Sequence, residues 1–123
     1  MDLYLGLEGF EEKIVSENDL ASLLGNKGVD VLSSPAMIAF MELTCRKSVG
    51  PFLKEGETTL GISFNIDHLA SAGIGSKIRV TSKLIEIHGK RLVFKVKCLS
   101  GDKVIGQGIH QRYIKNPKDI KKY

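Results

Sequence analysis

The sequence predicts an α+β fold in which an antiparallel sheet wraps around one long buried helix. Three observations support this prediction. The run that follows Ser34-Pro35 (AMIAFMELTCRKSV) has helical character and is apolar on every side in its first half. The segments after Gly56 alternate apolar and polar residues, as strands do. Short turns centred on glycine separate the last three segments, which makes them antiparallel neighbours.

The length and composition are those of an ordinary folded domain. The chain has 123 residues and a mass of 13.5 kDa, with 42% hydrophobic and 26% charged residues. This balance excludes a disordered tail, a collagen-like chain and a small disulfide-stapled protein. The sequence contains no uncharged apolar run of about 18 residues, and its acidic N-terminal stretch (MDLYLGLEGFEEK) is unlike a signal peptide. We therefore expect one domain over residues 1–123, no membrane contact and a cytoplasmic location.

The charge is mildly basic, at +4 from 18 Lys and Arg against 14 Asp and Glu. A nucleic-acid binder would concentrate positive charge on one face and interleave aromatic residues for stacking. Here Trp is absent, and the local excess of positive charge lies in the C-terminal lysines Lys115, Lys118, Lys121 and Lys122. We interpret them as a solvated tail, or as a modest attraction for a phosphorylated small molecule, and expect no nucleic-acid partner.

The first half of the chain predicts a strand, a short helix and then the long helix. Residues 10–16 have the pattern of a strand, and residues 19–24 that of a short helix ended by Gly25. Ser34 can cap the free backbone N–H groups at the start of the long helix, and Pro35 suits its first turn.

The long helix is expected to end at Gly50-Pro51, because proline removes a backbone donor and disfavours helix at the preceding residue. Residues 36–41 are apolar all round, which is typical of a helix that is covered on every side. One helix cannot cover a broad sheet, so we also expect a homodimer.

The second half of the chain predicts four strands joined by short turns. The strands are expected at residues 60–66, 78–87, 92–98 and 104–114. The turns at residues 88–90 and 100–102 make the last three strands two consecutive hairpins. The apolar face of the second of these strands is expected to change near Leu84-Ile85.

The two cysteines do not form a disulfide framework. Cys45 lies in the helical run and Cys98 in an alternating strand, so both are expected to be small buried hydrophobic residues in a reducing compartment. The spacing of Cys and His does not resemble that of a metal site.

Three residues are candidates for acid–base chemistry. Glu42 lies in the apolar helix, where an isolated carboxyl group would have a raised pKa and could serve as a general base. The alternative is an exposed Glu42 near Arg46, one turn further along the helix. His68 ends a strand and could transfer protons. The alternative is a loop histidine without a functional role. Ser34, beyond its capping role, could meet a substrate at the helix N-terminus.

Two further positions lie on strands. Gly61 interrupts an alternating strand, which marks a bulge or a close approach by a ligand or another backbone. His110 and Arg112 are two residues apart and so share one face, while Tyr113 faces the other way. Arg112 could pair with a carboxylate or phosphate, or be a solvated edge residue. The sequence carries no triad order, nucleophile elbow, phosphate loop or dinucleotide fingerprint.

Residues 29–114 resemble the hotdog-fold acyl-CoA thioesterases, and in particular their fluoroacetyl-CoA thioesterase-like branch. The resemblance is carried by SSPAMIAFMELTCR, TTLGISFNIDHLA and GSKIRVTSKLIEIHGKRLVFKVKCLSGDKVIGQGIHQRYI. It implies a dimer that hydrolyses a coenzyme A thioester without a metal, and without a cofactor other than the coenzyme A of the substrate. The family's catalytic Thr, Glu and His correspond to Ser34, Glu42 and His68. A family glycine beside the substrate corresponds to Gly61, and a family arginine at the site to Arg112.

The sequence departs from the family pattern at three places. Ser34 replaces threonine, which keeps the hydroxyl group and loses a methyl group. Residues 17–33 contain no aromatic residue, whereas the fluoroacetyl enzyme closes its site with phenylalanines there. Gly73 stands where the family often has proline.

Helix geometry bears on how the site is assembled. Ser34 and Glu42 are eight residues apart, which is about 12 Å along a helix axis and about 80° around it. We therefore expect them to meet across a dimer interface or around a bound substrate. The resemblance favours an acyl-CoA thioesterase, and the alternative is a non-catalytic acyl-CoA-binding or regulatory module of the same shape.

Overall fold

The structure, a computed structural model, describes residues 2–123. Its elements are β1 (Glu8–Ile14), α1 (Ser34–Val49), β2 (Thr58–His68), β3 (Lys77–His88), β4 (Arg91–Ser100) and β5 (Lys103–Lys115). The strands form a five-stranded antiparallel sheet in the order β1-β3-β4-β5-β2, so that β1 and β2 are its edges. The predicted α+β fold, with an antiparallel sheet and one long helix, is confirmed.

The two predicted hairpins join β3 to β4 and β4 to β5. Gly89 and Gly101 have φ values of +61° and +59°, a conformation that glycine adopts without a steric penalty. The predicted change of face in β3 is a bulge, since the pairing with β4 shifts between Leu84 and Glu86. Leu84, before the bulge, is buried in the core, and Ile87, after it, packs against the core, so the core-facing positions change from even-numbered to odd-numbered residues.

The N-terminal elements differ from the prediction in their bounds. The strand expected at residues 10–16 ends at Ile14, because Ser16 turns the chain by hydrogen bonding to the Asp19 carboxylate. The short helix expected at residues 19–24 is instead two 3-10 turns, interrupted at Leu20, which is extended and bridges to Leu32.

The helix begins one residue away from the predicted cap. Ser33, not Ser34, is the N-cap, and its Oγ accepts a hydrogen bond of 3.1 Å from the backbone N–H of Ala36. Ser34 is the first helical residue, which frees its hydroxyl group for another partner. The predicted end of the helix at Gly50-Pro51 is confirmed.

The core lies between α1 and one face of the sheet. The helix contributes Met37, Met41, Cys45 and Val49, which pack against Ile78, Val80, Leu84, Leu92, Phe94, Val96, Cys98 and Ile105. Both cysteines are buried free thiols, as predicted. Burial raises the pKa of Cys45 to about 12 and that of Cys98 to about 11, so neither is a reactive thiolate at neutral pH.

The expectation that the helix is covered on every side is wrong for the single chain. Ala39 is exposed and the Glu42 side chain retains 39% of its accessible surface. The sheet covers only one side of α1, and the opposite side faces a gap beside the edge strand β2. On that strand Leu60, Ile62 and Phe64 remain 36%, 50% and 43% exposed, so β2 presents apolar surface.

Candidate active site

A groove of about 600 Å³ lies between α1 and β2. Its lining includes Glu42 and Arg46 from the helix, Thr59 and Gly61 from β2, and Arg112 from β5. Most of the predicted site residues therefore lie at this gap.

Glu42 is held by Arg112. Arg112 Nη1 donates a hydrogen bond of 2.9 Å to Glu42 Oε2, and the arginine side chain is only 3% exposed. Glu42 is not enclosed by apolar side chains, and its ion pair is with Arg112 rather than with Arg46. It is a half-exposed carboxylate whose one oxygen is fixed by a buried guanidinium.

Arg112 is itself immobilised by Thr59. Its Nε donates to the Thr59 hydroxyl at 2.7 Å, and its Nη2 donates to the Thr59 carbonyl at 2.7 Å. The pairing with a carboxylate that the sequence allowed is confirmed, and a solvated Arg112 is excluded. Sequence reasoning missed Thr59, although its position two residues before Gly61 on the same strand put both on one face.

Gly61 makes room for the carboxylate. A β-carbon at this position would collide with Glu42 Oε2 and lie 3.3 Å from both Arg112 Nη1 and His110 Cε1. The pairing of β2 with β5 also shifts between Gly61 and Ser63. The bulge predicted at Gly61 is therefore present, and the group that approaches closely is a side chain of α1 rather than a ligand or another backbone.

His110 lies behind Arg112 in the interior. The two residues share one face of β5 as predicted, whereas Tyr113 is 39% exposed on the other. His110 Nε2 lies 3.2 Å from Arg112 Nη1, and Nδ1 lies 2.9 Å from the carbonyl oxygen of Ser63. Burial, aided by the charge of Arg112, lowers the pKa of His110 below its ordinary value of 6.5.

Ser34 and His68 form a second cluster. Ser34 Oγ, at the start of α1, lies 2.7 Å from His68 Nδ1, at the end of β2. The other ring nitrogen, Nε2, is shielded from solvent and has no hydrogen-bond partner among residues 2–123. An imidazole ring with one nitrogen in contact with a hydroxyl group and the other without a partner is suited to bind or to transfer a proton.

The single chain does not bring Ser34 and Glu42 together, because their hydrogen bonds go to His68 and Arg112 respectively. The structure thus joins the predicted residues as two pairs. The Ser34–His68 pair lies at the start of α1, and the Glu42–Arg112 pair lies about two helical turns further along the helix.

The rest of the described surface carries none of the predicted site residues. A second groove, of about 640 Å³, lies on β1, β3 and β4 and includes Phe10, Lys83, Lys95 and Lys97. Within residues 2–123 no three or more His, Cys, Asp and Glu side chains are grouped so that they could hold a metal ion. Among residues 2–123, no helix is both long and apolar enough to span a membrane.

Comparison with known proteins identifies the family. The family model described as fluoroacetyl-CoA-specific thioesterase matches residues 15–118. The fluoroacetyl-CoA thioesterase of Streptantibioticus cattleyicolor is 32% identical over 85 residues, which are 69% of this chain and 61% of the relative, so the match spans less than two thirds of that relative's length.

Solved structures agree on the fold. The structure of the fluoroacetyl-CoA thioesterase FlK superimposes with a TM-score of 0.90 at 24% identity, covering 96% of this chain and 92% of that one. A hot-dog-like protein from Thermanaerovibrio acidaminovorans gives a TM-score of 0.86 at 21% identity, covering 93% and 84%. With its hotdog fold and the match over residues 15–118, the chain belongs to the fluoroacetyl-CoA-specific thioesterase family.

Proposed function

We propose that this protein is an acyl-CoA thioesterase that hydrolyses a small acyl-coenzyme A thioester to the carboxylic acid and free coenzyme A. The observation that carries the proposal is the Glu42 carboxylate, which is oriented by buried Arg112 beside Gly61 in an open groove. Family membership supports thioester chemistry. Ser34 and His68, in contact where α1 begins and β2 ends, complete the set of reactive groups.

In the proposed reaction the oxygen of water adds to the thioester carbonyl carbon and the carbon–sulfur bond breaks. Glu42 acts either as the general base that removes the proton from water or as the nucleophile that forms a transient anhydride, which water then cleaves. His68 delivers a proton to the departing sulfur or polarises the site, and Ser34 orients the thioester carbonyl. A backbone N–H near Gly61 supports the negative charge that develops on the carbonyl oxygen.

The coenzyme A portion requires positive charge at the mouth of the groove. Arg46 is exposed and lines the groove beside Glu42, so its guanidinium is placed to meet a phosphate. No metal and no cofactor besides coenzyme A enters this scheme. Residues 17–33 offer no aromatic side chain to close over a small acyl group, so we expect no preference for fluoroacetyl over other short acyl groups.

We further propose that the enzyme works as a homodimer. β2 is an edge strand, so the backbone groups on its outer side are not paired with another strand, and it exposes Ile62 and Phe64. Both features favour pairing with a second copy of the chain. A partner there would cover the open side of α1 and bring a second set of site residues to the gap. Buried free Cys45 and Cys98 are consistent with a reducing compartment, which supports a cytoplasmic location.

The test is a panel of acyl-CoA substrates, including acetyl-, fluoroacetyl- and longer-chain thioesters, followed by release of free thiol. Glu42→Gln is expected to lower kcat by about 100-fold or more on the best substrate, the scale of losing acid–base help. Glu86→Gln is the matched control, since Glu86 is 53% exposed on β3. Binding of acyl-CoA without thiol release would instead favour a non-catalytic binding module.

A further inference from the structure

His110 is a buried histidine that the proposed mechanism does not use. It is fully shielded from solvent, and its ring lies between two phenylalanine rings. The centroid distances are 4.2 Å to Phe64 and 6.3 Å to Phe94. A polar ring in such a place costs free energy unless its nitrogens are satisfied.

Both ring nitrogens have partners, and the partners define the tautomer. The carbonyl oxygen of Ser63 can only accept a hydrogen bond, so Nδ1 must carry the proton. The guanidinium of Arg112 can only donate, so Nε2 must accept. The neutral ring protonated at Nδ1 is the one state that satisfies both contacts.

We propose that His110 is a positioning residue that, given the thioesterase function proposed above, aims Arg112 at Glu42. Arg112 Nη1 has two N–H bonds, of which one reaches Glu42 Oε2 at 2.9 Å and the other His110 Nε2 at 3.2 Å. Thr59 fixes the remaining side of the guanidinium. If the contact with His110 is removed, Arg112 Nη1, which orients Glu42, loses one of its two hydrogen bonds.

Protonation of His110 would break this arrangement. The charged ring would turn an N–H toward Arg112, which has no acceptor, and would place two cations side by side. Facing the ring are Arg112 on its own strand, Glu42 from α1, the Ser63 carbonyl of β2, and the rings of Phe64 and Phe94. When the pH falls below the lowered pKa of His110, the protonated ring therefore disturbs Arg112. We expect kcat to fall over the same range of pH.

Two substitutions separate positioning from packing. His110→Phe keeps a ring between the two phenylalanines but removes both hydrogen bonds, so kcat should fall by about tenfold, equivalent to one lost buried hydrogen bond, with KM nearly unchanged. His110→Gln supplies an amide oxygen that can accept from Arg112, so it should retain most of the activity. Because glutamine does not titrate, the acid limb of its pH–kcat profile should move to lower pH.

His88→Gln is the matched control, since His88 is half-exposed on β3 and contacts Glu86. It should leave kcat and the pH profile unchanged. The proposal is overturned if folded His110→Phe has the wild-type kcat, or if His110→Gln and His110→Phe lose activity equally and keep the wild-type pH profile. The latter result would mean that His110 only fills space.

A spectroscopic measurement tests the hydrogen-bond arrangement without reference to catalysis. Nitrogen-15 NMR of labelled histidine at pH 7 should show His110 neutral and protonated at Nδ1, with the Arg112 side-chain signals altered in His110→Phe. An imidazolium or an Nε2-protonated ring would refute the proposal even in an active enzyme. Failure of every acyl-CoA substrate would refute the proposed function while the NMR result still decided the tautomer.

Discussion

Gly61 illustrates how one missing side chain can shape a reactive site. Its backbone is extended, so glycine is not required there for conformational reasons. What is required is space, because the Glu42 carboxylate occupies the volume that a β-carbon would take. The obstructed group is the end of a flexible side chain, which can move aside more easily than backbone can.

Gly61→Ala is therefore expected to affect activity more than stability. The methyl group should push the carboxylate away from Arg112 and lower kcat by about tenfold or more, while the free energy of unfolding changes by less than about 1 kcal/mol. Thiol-release kinetics and denaturant unfolding measure the two effects. Gly73→Ala is the control, since a β-carbon at Gly73 meets nothing within 4 Å. Equal kcat values for the two variants would contradict this role for Gly61.

Glu42 also shows where residue-level sequence reasoning reaches its limit. The neighbouring residues Met41 and Leu43 suggested an apolar environment, and Arg46 suggested a local ion pair. The true partner, Arg112, is 70 residues away in the chain and reaches Glu42 only because β5 lies beside β2. Periodicity within one helix carries no information about such a contact.

The two adjacent serines at the start of α1 have different roles. Ser33 is 3% exposed and caps the helix through its contact with Ala36, whereas Ser34 points its hydroxyl at His68. The sequence predicted a capping serine but could not distinguish two serines side by side. The helix start is set by backbone contacts such as that from Ser33 N–H to the Asp19 carbonyl, which are tertiary.

Alanine substitution of these two serines should produce opposite effects. Ser33→Ala removes the cap and should cost about 1 kcal/mol of stability, or a Tm decrease of a few degrees. Ser34→Ala should leave Tm within about one degree, because the site is exposed, and should lower kcat by about tenfold through loss of the contact with His68. A Ser34→Ala variant with normal kcat and a lowered Tm would show that Ser34 is a structural residue.

Among the strands, the sequence predicted best those that pair locally. The β3–β4 and β4–β5 hairpins, and even the bulge after Leu84, follow from turn glycines and alternation that neighbouring residues determine. The places of β1 and β2 at the edges of the sheet depend on their pairing with β3 and β5, which are distant in the chain. The gap beside β2 depends on the same pairing. Sequence alternation located β2 but could not show that its apolar residues would remain exposed.

At the scale of the whole molecule, the site is divided into two pairs that one chain does not join. The Ser34–His68 pair lies at the start of α1 and the Glu42–Arg112 pair lies further along the same helix. In a two-fold dimer through β2 the two copies of that strand would run antiparallel, so the His68 end of one copy would lie beside the Gly61 end of the other, and each pair would lie opposite the other pair of its partner. We therefore expect each complete site to use Ser34 and His68 of one chain and Glu42 of the other.

Mixed dimers provide a direct test of this assembly. A heterodimer of one Ser34→Ala chain and one Glu42→Gln chain contains one site with both defects and one intact site, so about half of the wild-type kcat should return. Tagged chains can be co-expressed, purified as the mixed species and assayed by thiol release. The matched control pairs Ser34→Ala with His68→Ala, which lie in the same half-site, so both of its sites remain damaged. Absence of rescue in the first mixture would place the complete site within a single chain, whereas rescue in both would contradict the Ser34–His68 pairing seen at the start of α1.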